Sequence, residues 1–223
     1  TYELRRGQDR SRIAARSLTH ATRVKLLHDG EQFRFLSAQG RNTAWFEERA
    51  RIYETLAKTF PETVAALTEA QIDLLGHDYN TSIHFHDAPA LPGNTLAPRP
   101  DKDAVIEALS SSHPGAVVLD DFLAPAALRS LQNHLLRSTI WHDFMHIRGF
   151  VASYLEDGLA CPLLLQIANE TRQTFPQILG QNPLSQGWAF KGVRSDSAIG
   201  AHADDAVFSV NFWVTPDVAN RAP

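Results

Sequence analysis

The predicted fold is decided by three stretches near the end of the chain: residues 188–191 (WAFK), 199–203 (IGAHA) and 207–214 (VFSVNFWV). In these stretches the pattern of apolar residues has a period of two, which is typical of β-strands that bury one face. A turn is expected around 195–197, between the first stretch and the second. The end of the chain is therefore predicted to form an antiparallel sheet or barrel.

Helices are predicted to fill the first 78 residues, which form a helical layer in this interpretation. Apolar side chains recur there at helical spacing among charged ones, and glycine or proline residues mark the ends of the segments. Short connections between such helices favour a hairpin-like arrangement. The first predicted helix, or a broken pair of helices, spans 12–36, and the second runs from Asn42 or Thr43 to just before Pro61. Pro61 can open the third, which carries apolar residues over 64–75 and ends at Gly76.

A change in composition separates this layer, 1–78, from the rest of the chain. Residues 79–102 are rich in proline and contain few large apolar residues, which predicts a linker or a long wrapping loop. The third segment, 103–223, mixes helices with strands, so the chain as a whole is expected to be α+β. Its predicted elements before the sheet are a short helix around 105–109, a strand over 116–119 and helices over 126–137 and 161–175.

The candidate site is the pair His202 and Asp204, which follows Gly200. On a strand, side chains two positions apart point to the same face, so the imidazole and the carboxylate can bind one metal ion. A glycine just before the pair permits a close approach of the backbone. A histidine and a carboxylate are two members of the 2-His-1-carboxylate facial triad, whose open positions suit Fe(II), a co-substrate and O2.

Two further pairs of histidines are weaker candidates. His84 and His86 lie in the proline-rich connector, where a plain surface loop is favoured over a metal site. His142 and His146 would share one face of a helix and could bind zinc, but packing beside Trp141 is favoured. The sequence contains neither a Gly-x-Ser-x-Gly nucleophile motif nor a phosphate loop.

Residues 188–191, 199–204 and 210–220 together resemble the bacterial branch of the Fe(II)/2-oxoglutarate-dependent oxygenases. The resemblance is specific over about 186–220 and softer over 116–180. It implies a double-stranded β-helix, the jelly-roll or cupin-like fold, buttressed by helices and preceded by the N-terminal helical layer.

The resemblance also implies roles for individual residues. His202 and Asp204 would be iron ligands, Asn211 would face the co-substrate pocket, and Lys191 would hold a carboxylate of the oxoacid. The implied cofactors are Fe(II), the co-substrate 2-oxoglutarate and O2. The family adds a distal histidine ligand and a basic residue for the distal carboxylate, and a fold of this type needs about eight strands. Because His202 is the last histidine of the sequence, we expect these residues and the remaining strands to lie beyond Pro223.

The resulting hypothesis is an oxidoreductase, a dioxygenase that hydroxylates a C–H bond of a small-molecule or peptide substrate while 2-oxoglutarate is decarboxylated to succinate. Three alternatives stay open. The chain could be a family relative that has lost the metal site, or a non-catalytic binding module in which the helical layer holds a partner on a metal-free β scaffold. It could also be a cupin-like metalloenzyme that does not use 2-oxoglutarate.

Composition excludes several classes of protein. The 223 residues carry 21 Lys and Arg against 25 Asp and Glu, and this net charge of −4 does not favour binding to nucleic acid or to an acidic membrane. No stretch approaches the roughly 20 apolar residues that span a bilayer. The single cysteine, Cys161, is expected to be a buried structural thiol. We therefore expect a soluble cytoplasmic protein, with amphipathic helices that favour a homodimer through the helical layer.

Overall fold

The computed structural model describes residues 17–40, 42–98, 101–111, 115–145, 149–193, 204 and 206–219. Within these ranges, helices accompany two small antiparallel β-pairs, so the predicted α+β class is confirmed. None of the helices described is both long and apolar enough to cross a membrane.

Three helices and one short β-pair build the N-terminal layer. Helix α1 (Arg23–Ala38) lies against α2 (Thr43–Ala57), and α3 (Glu69–Leu75) contacts α2. Aromatic side chains fill the core between them, where the ring of Phe33 packs edge-on against the ring of Tyr53 with 5.1 Å between their centres. The bounds are β1 (His20–Ala21), α1 (Arg23–Ala38), α2 (Thr43–Ala57), β2 (Ala65–Ala66) and α3 (Glu69–Leu75).

The first helix begins later than the sequence predicts. The prediction of a helix over 12–36 is wrong for residues 17–22, which precede α1, while residues 12–16 lie outside the described residues. Thr22 is extended, and its hydroxyl accepts a hydrogen bond of 3.0 Å from the backbone N–H of Lys25. This N-cap provides a partner for an N–H that has none within the helix, so α1 starts there.

The third helix is also shorter than the prediction over 64–75. Only the part after Thr68 is helical, because Thr68 and Gln71 form a capping box at the start of α3. Ala65 and Ala66 pair instead with β1 in an antiparallel ladder. The second predicted helix is confirmed as α2.

The proline-rich connector is a loop, as predicted, and it lies along helix α6 (Pro162–Thr174). Gln166 of α6 accepts a hydrogen bond of 2.7 Å from the Leu91 N–H. Glu170 accepts hydrogen bonds from the backbone N–H of Thr95, at 2.7 Å, and from its hydroxyl, at 2.8 Å. These side chains provide the partners that a loop cannot find in its own backbone.

The helices predicted at 105–109, 126–137 and 161–175 are confirmed, and one more short helix follows them. Three of these helices begin with proline, whose fixed φ suits a first helical position and whose missing N–H is not needed there. Leu131 and Leu163 belong to the core between α5 (Pro125–Arg137) and α6. The bounds are α4 (Lys102–Ser111), α5 (Pro125–Arg137), α6 (Pro162–Thr174) and α7 (Pro176–Leu179).

The larger β-pair consists of β3 (Phe150–Tyr154) and β4 (Trp188–Gly192), which run antiparallel with Ala152 opposite Phe190. The sequence predicts β4 but not β3. All residues of β3 except the first are buried, so β3 lacks the alternation of polar and apolar residues that reveals a half-exposed strand.

Two other predicted strands are not strands. Residues 116–119 and 207–214 are described, and neither pairs in a ladder with another described segment. A strand is completed by backbone hydrogen bonds to a neighbouring strand. The apolar side chains of these two segments are not buried either, since Val118 is 85% exposed and Trp213 91% exposed in the described part of the chain. The strand predicted over 199–203 lies outside the described residues.

Candidate functional site

The fold surrounds one of the predicted site residues, Lys191, with other polar side chains. Asp204 is partly exposed, and its carboxylate accepts a hydrogen bond of 2.7 Å from the Ser209 hydroxyl. Asn211 lies exposed, outside any helix or strand. His202 lies outside the described residues.

Lys191 reaches from β4 to helix α1. Its nitrogen Nζ lies 3.1 Å from Nε2 of His28 and 5.7 Å from the centre of the Trp141 ring. His28 and Trp141 are both buried. The apolar stem of a lysine can pack on an aromatic ring while its ammonium group interacts with the ring face. Lys191 therefore links the sheet to the helical layer.

Asp29 lies at the centre of this contact. Lys25 donates hydrogen bonds of 2.7 Å to both carboxylate oxygens of Asp29 and one of 2.8 Å to the backbone carbonyl of Trp141. Nδ1 of His28 lies 2.9 Å from Oδ1 of Asp29. We refer to Lys25, His28, Asp29, Trp141 and Lys191 as the Lys191 junction.

Burial and charge set the protonation states in the junction. Burial, together with the nearby Lys191, lowers the pKa of His28 to about 4, so this imidazole is neutral at pH 7. Burial alone would raise the pKa of Asp29, but Lys25 and His28 hold it below its usual value. Burial lowers the pKa of Lys191, against the opposing effect of Glu31 and Asp29. A neutral His28 that donates from Nδ1 to Asp29 presents the lone pair of Nε2 to Lys191.

The sequence of α1 places the polar members of the junction on one helix face. Lys25, His28, Asp29 and Gln32 are spaced by three or four positions, and all four are buried. Leu27 of the same helix is exposed. Helix α1 thus buries a polar face as well as an apolar one, which the amphipathic interpretation of the sequence misses. The spacing of Lys25 and Asp29 is the local signal that could have indicated it.

A small cavity adjoins the junction. Its volume is about 10 Å³, and Lys25, Asp29, Asn80, Trp141 and His142 contribute to its lining. A space of this size holds about one water molecule.

Of the histidine pair at 142 and 146, the structure describes His142 alone, and this residue is not part of a helix. His142 is buried beside Trp141, as predicted, but it lies outside any helix, so the helical arrangement considered for zinc is wrong. Its Nε2 lies 2.8 Å from the Ser82 hydroxyl, and its Nδ1 lies 3.3 Å from the side-chain oxygen of Asn80. His146 lies outside the described residues.

The histidines of the connector lie in a loop that is fastened to the segment before β3. The carbonyl of His84 accepts a hydrogen bond of 2.9 Å from the Thr139 N–H, and the N–H of His86 donates one of 3.0 Å to the Ser138 hydroxyl. The segment is a loop, as predicted, and both histidines in it are half-buried. Cys161 is buried, as predicted, and burial raises the pKa of its thiol.

Among the described residues, no group of three or more His, Cys, Asp or Glu side chains is arranged to hold a metal ion. No protein-family model, curated protein or solved structure matches the chain. The resemblance to the oxygenases therefore rests on the motifs of the chain itself, foremost His202 and Asp204.

Proposed function

We propose that the chain forms part of an Fe(II)- and 2-oxoglutarate-dependent oxygenase, which hydroxylates a C–H bond of a small-molecule or peptide substrate. The observation that carries the proposal is the His202-x-Asp204 pair downstream of β4, within the stretch that resembles this family. The antiparallel pairing of β4 with β3 supports it, because a double-stranded β-helix is built from antiparallel strands. In this proposal, 207–214 becomes a strand once further strands pair with it.

The donor chemistry of the motif fits the proposed metal. A carboxylate oxygen and an imidazole nitrogen are typical ligands of non-heme Fe(II). The Asp204 carboxylate is partly exposed and hydrogen-bonded to Ser209, and such a bond commonly orients a metal-binding carboxylate. When bound, the metal and 2-oxoglutarate supply the oxidative chemistry. His202 and Asp204 would hold the metal in place.

Lys191 and Asn211 are the proposed contacts of the co-substrate. Lys191 is partly exposed and offers an ammonium group, which suits a carboxylate, and the exposed amide of Asn211 can both donate and accept hydrogen bonds. A cytoplasmic location belongs to the same proposal, because a reducing compartment preserves the free thiol of Cys161.

The test is an anaerobic titration of the full natural chain with Fe(II) and then with 2-oxoglutarate, followed through the weak visible charge-transfer band of the chelated complex. We expect the band in the wild-type protein and its loss in His202→Ala and Asp204→Ala. Asp205→Ala is the matched control, because adjacent side chains on a strand point to opposite faces. This control should keep the band.

Two results would contradict the proposal. One is the absence of the band in a folded wild-type protein at saturating 2-oxoglutarate. The other is a band that survives both His202→Ala and Asp204→Ala, since the metal would then be bound elsewhere. In a positive case, release of succinate under air should depend on the same two residues.

A further inference from the structure

Three polar side chains in a row join the proline-rich connector to the segment before β3. The Ser82 hydroxyl oxygen lies 2.8 Å from Nε2 of His142, and Nδ1 of the same ring lies 3.3 Å from Oδ1 of Asn80. His142 is 2% and Asn80 3% exposed, whereas Ser82 is partly exposed. We refer to Ser82, His142 and Asn80 as the Ser82 triad. A hydroxyl, an imidazole and a side-chain acceptor in this order activate the nucleophile of many hydrolases.

The orientation of Asn80 determines which nitrogen of His142 carries the proton. The amide nitrogen of Asn80 donates hydrogen bonds of 3.0 Å to the backbone carbonyls of Ser17 and His142, so the amide oxygen is the atom that faces Nδ1. Because an amide oxygen only accepts, Nδ1 carries the proton and Nε2 has the lone pair. The Ser82 hydroxyl then donates to Nε2, which is the geometry that a general base requires.

Backbone contacts hold Ser82 beside His142. The next residue, Ile83, donates its N–H at 2.9 Å to the hydroxyl of Thr139, which precedes His142 in the same segment. Asn80 has a φ of +51°, in the left-handed region that asparagine adopts more readily than most residues. Conformations of this kind persist where surrounding contacts hold them, and they cluster at active sites. The connector and the segment before β3 therefore position the Ser82 triad together.

We propose that Ser82 is a nucleophilic serine that accepts an acyl group from an ester, with His142 as its general base and Asn80 as its positioning residue. Sites of this kind are recognised by their geometry, and this one lies outside the Gly-x-Ser-x-Gly motif. The activity goes beyond the proposed oxygenase function and does not depend on it, because no member of the Ser82 triad is a proposed contact of the metal or of the co-substrate.

The reaction consumes only the ester and water. The Ser82 oxygen forms a bond to the carbonyl carbon while the hydroxyl proton passes to Nε2 of His142. The ester bond to the alcohol then breaks, the alcohol leaves with that proton, and the acyl group stays on Ser82. A water molecule next gives a proton to His142 and forms a bond to the acyl carbon, which releases the carboxylic acid and restores the serine hydroxyl.

The surroundings of Ser82 favour an ester with an apolar or aromatic group. The cavity beside His142 has a volume of only about 10 Å³, so an acyl group has to approach from the exposed side of Ser82. The Ser82 oxygen lies 3.5 Å from the backbone carbonyl of Asp157. The next residue, Gly158, lies directly against the ring of Phe85, which is 51% exposed. This ring offers an apolar surface close to the serine.

The first experiment labels the full natural chain, in EDTA, with an alkyl fluorophosphonate and locates the label by peptide mass spectrometry. An activated serine oxygen displaces fluoride from phosphorus, whereas an ordinary serine reacts poorly. We expect the label on Ser82 and its loss in Ser82→Ala. Ser110→Ala is the matched control, because the Ser110 hydroxyl is exposed and donates to a carbonyl of its own helix, α4. This control should be labelled like the wild type.

The second experiment tests the roles of the other two residues. His142→Gln should slow labelling, and the hydrolysis of p-nitrophenyl butyrate, by about a hundredfold or more, as expected for loss of a general base. Asn80→Asp and Asn80→Gly both tolerate a positive φ and both lose the amide donors, but only aspartate keeps an oxygen for Nδ1. We expect Asn80→Asp to keep most of the rate and Asn80→Gly to lose about tenfold or more. A purely structural role of Asn80 would affect both variants alike.

The proposal is refuted if the wild type is not labelled, if the label lies on another serine, or if Ser82→Ala is labelled like the wild type. Unchanged rates in a folded His142→Gln refute the general-base role. Circular dichroism must show that each variant is folded. If His142→Gln is not, the two Asn80 variants decide the question, and equal rates in them refute the triad. None of these results depends on the charge-transfer band that tests the oxygenase proposal.

Discussion

Replacing Asp29 with asparagine tests whether the Lys191 junction stabilises the fold. Asp29 is 7% exposed and accepts two hydrogen bonds of 2.7 Å from Lys25, which is 2% exposed. Asp29→Asn removes the negative charge to which this buried cation is bonded. Removing one partner of a buried ion pair costs about 3–5 kcal/mol. We expect the free energy of unfolding to fall by about 3 kcal/mol, the lower end of this range, because the asparagine oxygen still accepts one hydrogen bond.

Equilibrium urea denaturation, followed by circular dichroism, measures this loss. The double variant Lys25→Met/Asp29→Leu should be more stable than Asp29→Asn alone, because it leaves neither ion of the pair buried. Glu48→Gln breaks an exposed ion pair with Arg51 on α2 and should have no measurable effect. A loss below about 1 kcal/mol in Asp29→Asn, or a double variant as unstable as the single one, would refute the reasoning.

Three further predictions concern pH, the connector and one glycine. The pKa of His28 is lowered from 6.5 to about 4, so between these pH values the unfolded state binds a proton that the folded state does not. The contribution of His28 to the free energy of unfolding should therefore be fully present above pH 6.5, and it should fall by up to about 3 kcal/mol as the pH decreases toward 4. His28→Gln should flatten this part of the pH profile of urea denaturation, and a wild-type profile that is already flat would contradict the prediction. Glu170→Ala should speed hydrogen exchange in the connector and lower the free energy of unfolding by about 1 kcal/mol, because it removes the hydrogen bonds to Thr95. The control Gln173→Ala, on the exposed side of α6, should change neither quantity. Equal effects of the two substitutions would show that the Glu170 contacts are not stabilising. Gly158→Ala should lower the free energy of unfolding, measured by thermal denaturation, by about 2 kcal/mol, because φ is +105° and a Cβ would lie 2.5 Å from a ring carbon of Phe85. At Gly93 a Cβ would meet nothing within 4 Å, so Gly93→Ala should cost less.

Local sequence determines most helix bounds of this protein. Pro125 and Pro162 mark the starts of α5 and α6, and Thr68 with Gln71 caps α3. Capping and proline effects act within about one helical turn, so they can be recognised from neighbouring residues. The loop character of the connector is local for the same reason, because proline restricts its own backbone and that of the residue before it.

The formation of the sheet is harder to predict from the sequence. The alternating pattern at 207–214 predicts a strand, yet no described segment pairs with it, whereas the buried strand β3 has no alternation and forms a complete ladder with β4. An alternating pattern reports which side chains could be buried, but a strand exists only when the backbone groups of a second segment bond to it.

Only the tertiary structure decided the composition of the Lys191 junction. The sequence alone identified Lys191 as a candidate and the His202-x-Asp204 pair as the motif that carries the functional hypothesis. It gave no sign that His28, 163 positions away from Lys191, would be its hydrogen-bond partner. The physical reason is that a buried polar contact depends on which surfaces the folded chain brings together. Whether such a contact stabilises the fold depends on the charges that both surfaces contribute.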